Sequence, residues 1–175
     1  VQYGGRPVFA GAGFELHAGD RLALTGPNGC GKTSLLRLVC GQAVPHTGLC
    51  QTASGLVISY LPQTPEDCPG TAAAYADGYA LDKSLFFAVL RKLGFERVQF
   101  EKPVAGLSAG QRKKLMLARS LCQPAHLYVW DEPLNYIDVL SRRQVEQLIL
   151  QYRPTLLFVE HDRAFCRAVA TRTLP

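Results

Sequence analysis

Apolar residues fall in short blocks punctuated by glycine and proline, and their spacing changes along the chain. Near the N-terminus, Pro7-Val8-Phe9, Gly13-Phe14-Glu15-Leu16-His17 and Arg21 to Thr25 are strand-like runs separated by glycine turns. From Lys32 to Cys40 the period becomes helical, with Leu35, Leu36 and Val39 on one face. Residues Gly48 to Gln63 predict a hairpin: two strand-like runs flank Ala53-Ser54-Gly55, the second being Leu56 to Leu61. A Pro- and acid-rich loop, Thr64 to Gly70, follows. Between Asp82 and Phe95, Leu85, Phe86, Val89, Leu90 and Leu93 form an apolar stripe, which makes residues 71–105 a small helical insert. The helix after Ser108, with Leu115, Leu117, Ala118, Leu121 and Cys122, carries that insert to about residue 122. A strand is predicted at His126 to Trp130, then a helix from Ser141 to Tyr152 with Val145, Leu148 and Ile149 inward. A turn at Pro154 and a strand from Thr155 to Val159 complete the pattern. The fold class is α/β: a mixed sheet with an antiparallel β subdomain and a short helical subdomain.

Composition narrows this only slightly. At 175 residues the chain is one domain, with 47% hydrophobic and 19% charged residues, ordinary globular values. No apolar run reaches membrane-spanning length and no signal peptide is visible, so direct membrane insertion is not expected. Six cysteines (Cys30, Cys40, Cys50, Cys68, Cys122, Cys166) lie scattered without a C-x-x-C pair, which suits reduced cytoplasmic thiols better than a disulfide scaffold. The net charge of +5 is compatible with a nucleic-acid partner or simply a basic surface. Because the chain begins at Val1 inside strand-like sequence, it reads as a piece of a longer protein.

The chemistry concentrates at the ends of predicted strands. Gly26-Pro27-Asn28-Gly29-Cys30-Gly31-Lys32-Thr33 matches the phosphate-cradling pattern G-x-x-x-x-G-K-[ST]. It lies between the strand ending at Thr25 and the helix opening at Gly31, as such a loop requires. The glycines permit positive φ, so backbone N–H groups and the helix dipole can face phosphate oxygens. Lys32 would reach the β- and γ-phosphates, and the Thr33 hydroxyl can ligate Mg²⁺. The strand ending at Trp130 delivers Asp131 and Glu132, a metal-holding acid and a base for the attacking water. His161, at the end of another strand, is positioned for a γ-phosphate contact. Three features stay ambiguous on this evidence. Tyr3 is a stacking aromatic for a purine or a packed sheet-edge residue. Gln63 is an amide ligand for Mg²⁺ or water, or a polar loop residue. Arg112, Lys113, Lys114 and Arg119 form a phosphate-facing charge or a solvated basic face. Ser108 is a good N-cap, and Ala109-Gly110 open that helix without bulk.

Taken together, GPNGCGKT, Gln63, LSAGQ (107–111), YVWDE (128–132) and the EHD of 160–162 resemble, in order and spacing, an ATP-binding-cassette ATPase domain with a P-loop NTPase fold. The resemblance spans essentially the whole chain, and LSAGQ is its most specific part. EPLNYID (132–138) and Glu160-His161-Asp162-Arg163-Ala164-Phe165 resemble the ABC-F group, soluble two-cassette proteins that act on the ribosome. FERVQFEK (95–102), PLNYIDVLSR and PTLLFVEHD resemble the second cassette of Lsa/Vga-type antibiotic-resistance members. The resemblance implies the following roles. Tyr3 is the adenine-stacking aromatic. Gly26 to Ser34 form the phosphate loop, and Gln63 is the Q-loop glutamine. Ser108, Gly110 and Gln111 contact nucleotide held by an opposing cassette. Asp131 and Glu132 are metal ligand and catalytic base, Asp138 the D-loop aspartate and His161 the switch histidine. It also implies ATP and Mg²⁺ as cofactors, a second cassette in the same polypeptide and the ribosome with its rRNA as partners, and a cytoplasmic location. Ala109 departs from the usual glycine, and Glu160 from the small residue common in other cassettes.

Two other readings remain open. One is the nucleotide-binding subunit of an ABC transporter; only forty-four positions separate Gln63 from Leu107, where such subunits usually carry a longer docking insert. The other is a non-hydrolysing regulatory module, which Glu132 and His161 argue against.

Overall fold

The computed structural model describes residues 2–3, 6–7, 13–65 and 68–175, the first four by backbone alone. In chain order the elements are β1 (Gln2–Tyr3), β2 (Arg6–Pro7), β3 (Arg21–Leu24), α1 (Lys32–Val39), β4 (Ile58–Leu61), α2 (Ala72–Gly78), α3 (Lys83–Lys92) and α4 (Arg97–Glu101). A 3-10 turn at Val104–Gly106 precedes α5 (Ala109–Cys122), β5 (Leu127–Asp131), α6 (Val139–Tyr152), β6 (Leu156–Val159), α7 (Arg163–Val169) and β7 (Arg172–Leu174). Two compact units result, one from residues 1–60, 125–132 and 153–175, the other from 61–124 and 133–152.

The first unit is built on a five-stranded sheet ordered β4-β5-β6-β3-β7. Pairings β3–β6, β3–β7 and β5–β6 are all parallel. All four residues of β6 and three of the four of β3 are buried, the near-continuous apolar run expected when both faces of a parallel sheet are covered. Side chains still alternate. Leu157 and Val159 join Leu22, Leu24, Leu127, Val129 and the Leu35–Leu36 face of α1 in one core cluster. Phe158 instead meets Phe165 of α7 edge-on, with ring centroids 5.9 Å apart. In the second unit α3 packs against α2 and α5. Asp82 caps α3 by accepting from the Leu85 N–H at 2.8 Å. Phe86, Val89, Leu90 and Leu93 are buried, as their stripe predicts.

Several expectations need correction. The principal sheet pairs in parallel rather than as a mixed sheet. Among the described residues, antiparallel pairing is confined to β1–β2 and an isolated Thr71–Pro103 bridge, so no antiparallel subdomain is seen. The hairpin of 48–63 has only its second strand, β4. The Ala53–Leu56 turn closes, with a 3.2 Å N–H···O bond, but the residues entering it are exposed and have no apolar face to bury. Val57 instead accepts from the His126 and Leu127 N–H groups. Residues 13–17 show the alternating exposure of a strand, with Phe14 and Leu16 against the core, but form no ladder. Leu85 is 51% exposed and drops out of the α3 stripe. Val8 and Phe9, and the Tyr3 side chain, lie outside the described residues.

Phe158 is fully buried, so Phe158→Ala removes a large ring from between the sheet and α7. A loss of about 3–5 kcal/mol is expected, read from denaturant unfolding of the parent and the variant.

Candidate functional site

Parallel register brings three strand ends together. Leu24 of β3 is opposite Val159 of β6, and Val159 is opposite Asp131 of β5, so the three strands finish in one row. The phosphate loop, Glu132 and the 160–162 segment leave the sheet immediately beyond that row. Strand-end crevices of open α/β sheets are where ligands bind.

Residues 26–29 of the loop are exposed, and Gly26, Gly29 and Gly31 take φ of 134°, 78° and 93°. These are left-handed values that a side chain would strain. Gly31 is the N-cap of α1 and supplies no side-chain cap, which suits the first turn to an anion. Lys32 is buried, and its Nζ donates to the Gly26 and Pro27 carbonyls at 2.9 and 2.8 Å. The ammonium is thus already held at the mouth of the loop.

Asp131 is completely buried at the end of β5. Burial, together with the Asp131 charge, pushes the nearby Tyr60 phenol up. Glu132 keeps to the sheet through its backbone, donating to the Val159 carbonyl at 2.9 Å. Its φ is nevertheless 47°, a left-handed conformation that costs a non-glycine residue on the order of 1–3 kcal/mol. The turn brings a Glu132 carboxylate oxygen to 3.4 Å from Nε2 of His161. His161 in turn is set by its neighbour. Glu160 is buried, and its Oε1 accepts the N–H groups of His161 and Asp162 at 2.7 and 3.2 Å. The Glu160 carboxylate therefore clamps the loop bearing the histidine. Asp162 then caps α7 by accepting from Ala164 and Phe165. A cavity of about 420 Å³ adjoins the loop, lined by Gly26, Pro27, Lys32, Glu160, His161 and Arg163 among others.

In the second unit, Ser108 and Gln111 form a reciprocal capping box at the start of α5, at 2.9 and 3.2 Å. Gly110 is required for a reason the sequence does not disclose: a Cβ there would lie 2.5 Å from the Tyr136 carbonyl oxygen. Asp138 caps α6, accepting from the Ser141 N–H at 2.9 Å, and pairs with Lys114 at 2.6 Å. Burial raises the Asp138 pKa, but the Lys114 and Ser141 hydrogen bonds outweigh it and hold the carboxyl well below the usual range. The side chain of Gln63 is exposed. The basic run of α5 is not a solvated face: Lys113 is fully buried, and Arg119 is buried with its guanidinium 4.7 Å above the Tyr79 ring. A charge run gives no sign of such inward lysines.

Asp131 and the Thr33 hydroxyl are hard oxygen donors of the kind Mg²⁺ prefers. Among the described residues no cluster of three or more His, Cys, Asp or Glu could hold a metal. That donor set fits Mg²⁺, which is bound through one or two carboxylates plus substrate phosphates rather than in an all-protein cage.

Residues 9–135 match the family described as ABC transporter. The chain is 34% identical to the ribosome protection protein VmlR of Bacillus subtilis over 93% of its length and 30% of that protein. It is 30% identical to ABC transporter F family member 2 of Arabidopsis thaliana over 95% of its length and 26% of that protein. Among solved structures, the complex of archaeal ribosomal stalk protein aP1 with ribosome recycling factor aABCE1 aligns with a TM-score of 0.75 at 28% identity, over 90% of this chain and 32% of that one. The chain thus spans about a third or less of the length of these relatives. On the match across most of its length, the chain belongs to the ABC transporter family.

Proposed function

We propose that this chain is an ATP-hydrolysing cassette, the second of two in a cytoplasmic ABC-F protein that acts on the ribosome. The observation that carries the hydrolytic part is the Glu132–His161 contact of 3.4 Å at the strand row from which the Lys32 loop also departs. In this reading residues Gly26 to Ser34 wrap the triphosphate, and Tyr3 stacks on adenine. Lys32 exchanges its two carbonyl partners for charged phosphate oxygens, which are stronger acceptors. Thr33, Asp131 and Gln63 are the residues that would hold Mg²⁺, which when bound neutralises charge on the β- and γ-phosphate oxygens. Glu132 accepts a proton as water oxygen attacks the γ-phosphorus. The bond to the bridging oxygen breaks, and ADP and phosphate result. His161, oriented by the Glu160 clamp, fixes the carboxylate and the γ-phosphate together.

The remaining elements point to a partner. Ser108, Gly110, Gln111 and Asp138 act on nucleotide held by the opposing cassette, so a single cassette supplies half of each site. Relatives about three times as long leave room for the other cassette in the same polypeptide. The ribosomal part of the proposal draws on VmlR, a ribosome protection protein, and on aABCE1, a ribosome recycling factor. Among the described residues no helix is long and apolar enough to cross a membrane.

Glu132→Gln keeps the shape of the side chain and removes the base. ATP affinity should persist while turnover falls by ~10²-fold or more. Phosphate release measured at the parent rate would remove Glu132 from the base role. Lys32→Ala should weaken ATP binding itself, and an unchanged dissociation constant in a fluorescence titration would count against the phosphate-loop assignment.

The 175-residue chain alone should bind ATP with Mg²⁺ yet hydrolyse it slowly, because only a transient homodimer can supply Ser108 and Gly110 to the second side of the γ-phosphate. Its specific activity should rise with protein concentration, and Ser108→Arg should abolish that rise. A full-speed rate that is independent of concentration and insensitive to Ser108→Arg would mean a self-contained site.

A further inference from the structure

Lys113 is 0% exposed, on the second turn of α5, the helix that opens within LSAGQ (107–111), the signature stretch of this chain. A buried ammonium is costly unless its donors find acceptors. Here Nζ donates to two consecutive backbone carbonyls, those of Pro62 at 2.9 Å and Gln63 at 3.1 Å, fifty-one and fifty residues away in sequence. Both carbonyls belong to the loop that follows β4, and residues 62–65 are neither helix nor strand. The orientation of the Gln63 peptide is therefore not fixed by a ladder or a helical turn. The side chain of Gln63 is exposed while its carbonyl is gripped from inside. Charge-assisted bonds of this kind are about twice as strong as neutral ones, and two neighbouring bonds define a direction as well as a distance.

We propose that Lys113 is a positioning residue that fastens the Gln63 loop to the signature helix, so that Gln63 and the Ser108–Gln111 turn respond to nucleotide as one piece. Its functional consequence rests on the proposed reading of Gln63 as one of the residues that would hold Mg²⁺. The tether itself does not. Lys113 touches neither nucleotide nor metal in this scheme; it acts through the backbone of Gln63. One long side chain thereby joins two elements across a sequence separation of fifty residues.

The test uses hydrogen–deuterium exchange and ATP binding in the 175-residue chain. Lys113→Met should raise amide exchange at Gln63 and Thr64 by about tenfold or more, with the interiors of α3, α5 and α6 unaffected. ATP affinity in EDTA should stay at the parent value. The Mg²⁺ concentration that half-saturates the metal-dependent gain in ATP affinity should rise to the level of Gln63→Ala, and the double variant should be no worse than either single one. Lys113→Gln, which keeps polarity but is too short for both carbonyls, should behave like Lys113→Met and covers the case in which the methionine variant fails to fold. Unchanged exchange at Gln63 and Thr64 in a folded variant overturns the proposal. So does a uniform rise across the helices of the second unit, or additive effects of Lys113→Met and Gln63→Ala on the Mg²⁺ midpoint. If Gln63→Ala alone leaves that midpoint unmoved, the metal reading of Gln63 fails, and the exchange data still decide the tether.

Discussion

The parallel pairing of β5, β6 and β3 is the constraint on which the site depends. Each parallel strand needs a crossover before the next, so all three ends that face the same way are starts of connections. Because Leu24, Val159 and Asp131 share one row, a loop of glycines, a pair of acids and a glutamate–histidine segment leave the sheet at the same level. A slip of two residues between β5 and β6 would keep the apolar faces inward and separate Glu132 from His161, and the same slip between β3 and β6 would carry the glycine loop away from both. The register is held by the core around Leu22, Leu24, Leu157 and Val159, whose burial contributes roughly 1.5–3 kcal/mol per side chain. The packing of the sheet and the geometry of the chemistry are therefore the same fact.

A second feature recurs in both units: charged side chains are held by the main chain. Lys32 binds the carbonyls of its own loop, Lys113 those of Pro62 and Gln63, and Glu160 the N–H groups of His161 and Asp162. Each group is buried, where an unpaired charge is expensive and a paired one is strongly directed. Backbone partners have a particular advantage here. They set the path of a loop rather than the rotamer of another side chain, and the loops concerned carry Gly26, Gln63 and His161. Glu132 is the complementary case, a residue whose backbone is bound to the sheet and whose positive φ turns its carboxylate toward His161.

Much of the fold was legible in the sequence because its signals are local. The helical period of 32–40, the stripe of Phe86, Val89, Leu90 and Leu93, the Ser108 cap and the apolar runs of β3, β5 and β6 all act within a few residues. The failures come where local pattern and tertiary pairing disagree. Residues 13–17 alternate like a strand yet form no ladder, and the run entering the turn at Ala53 stays exposed. Strand propensity describes a surface that could pair, not the partner that is available.

The sequence by itself determined the chemical inventory: a glycine loop ending in Lys32 and Thr33, acids after one apolar strand, a histidine after another and a signature between them. Those are properties of residue type and spacing, and no packing is needed to read them. Tertiary structure alone decided which of these groups meet and in what state. That Lys113 points inward, that Gly110 must lack a side chain beside the Tyr136 carbonyl, and that Glu160 grips the histidine loop depend on contacts of long sequence range or on the direction of a single turn. A linear pattern fixes the face on which a residue stands. It does not fix what stands opposite, because that neighbour comes from another segment and is chosen by the packing of the whole.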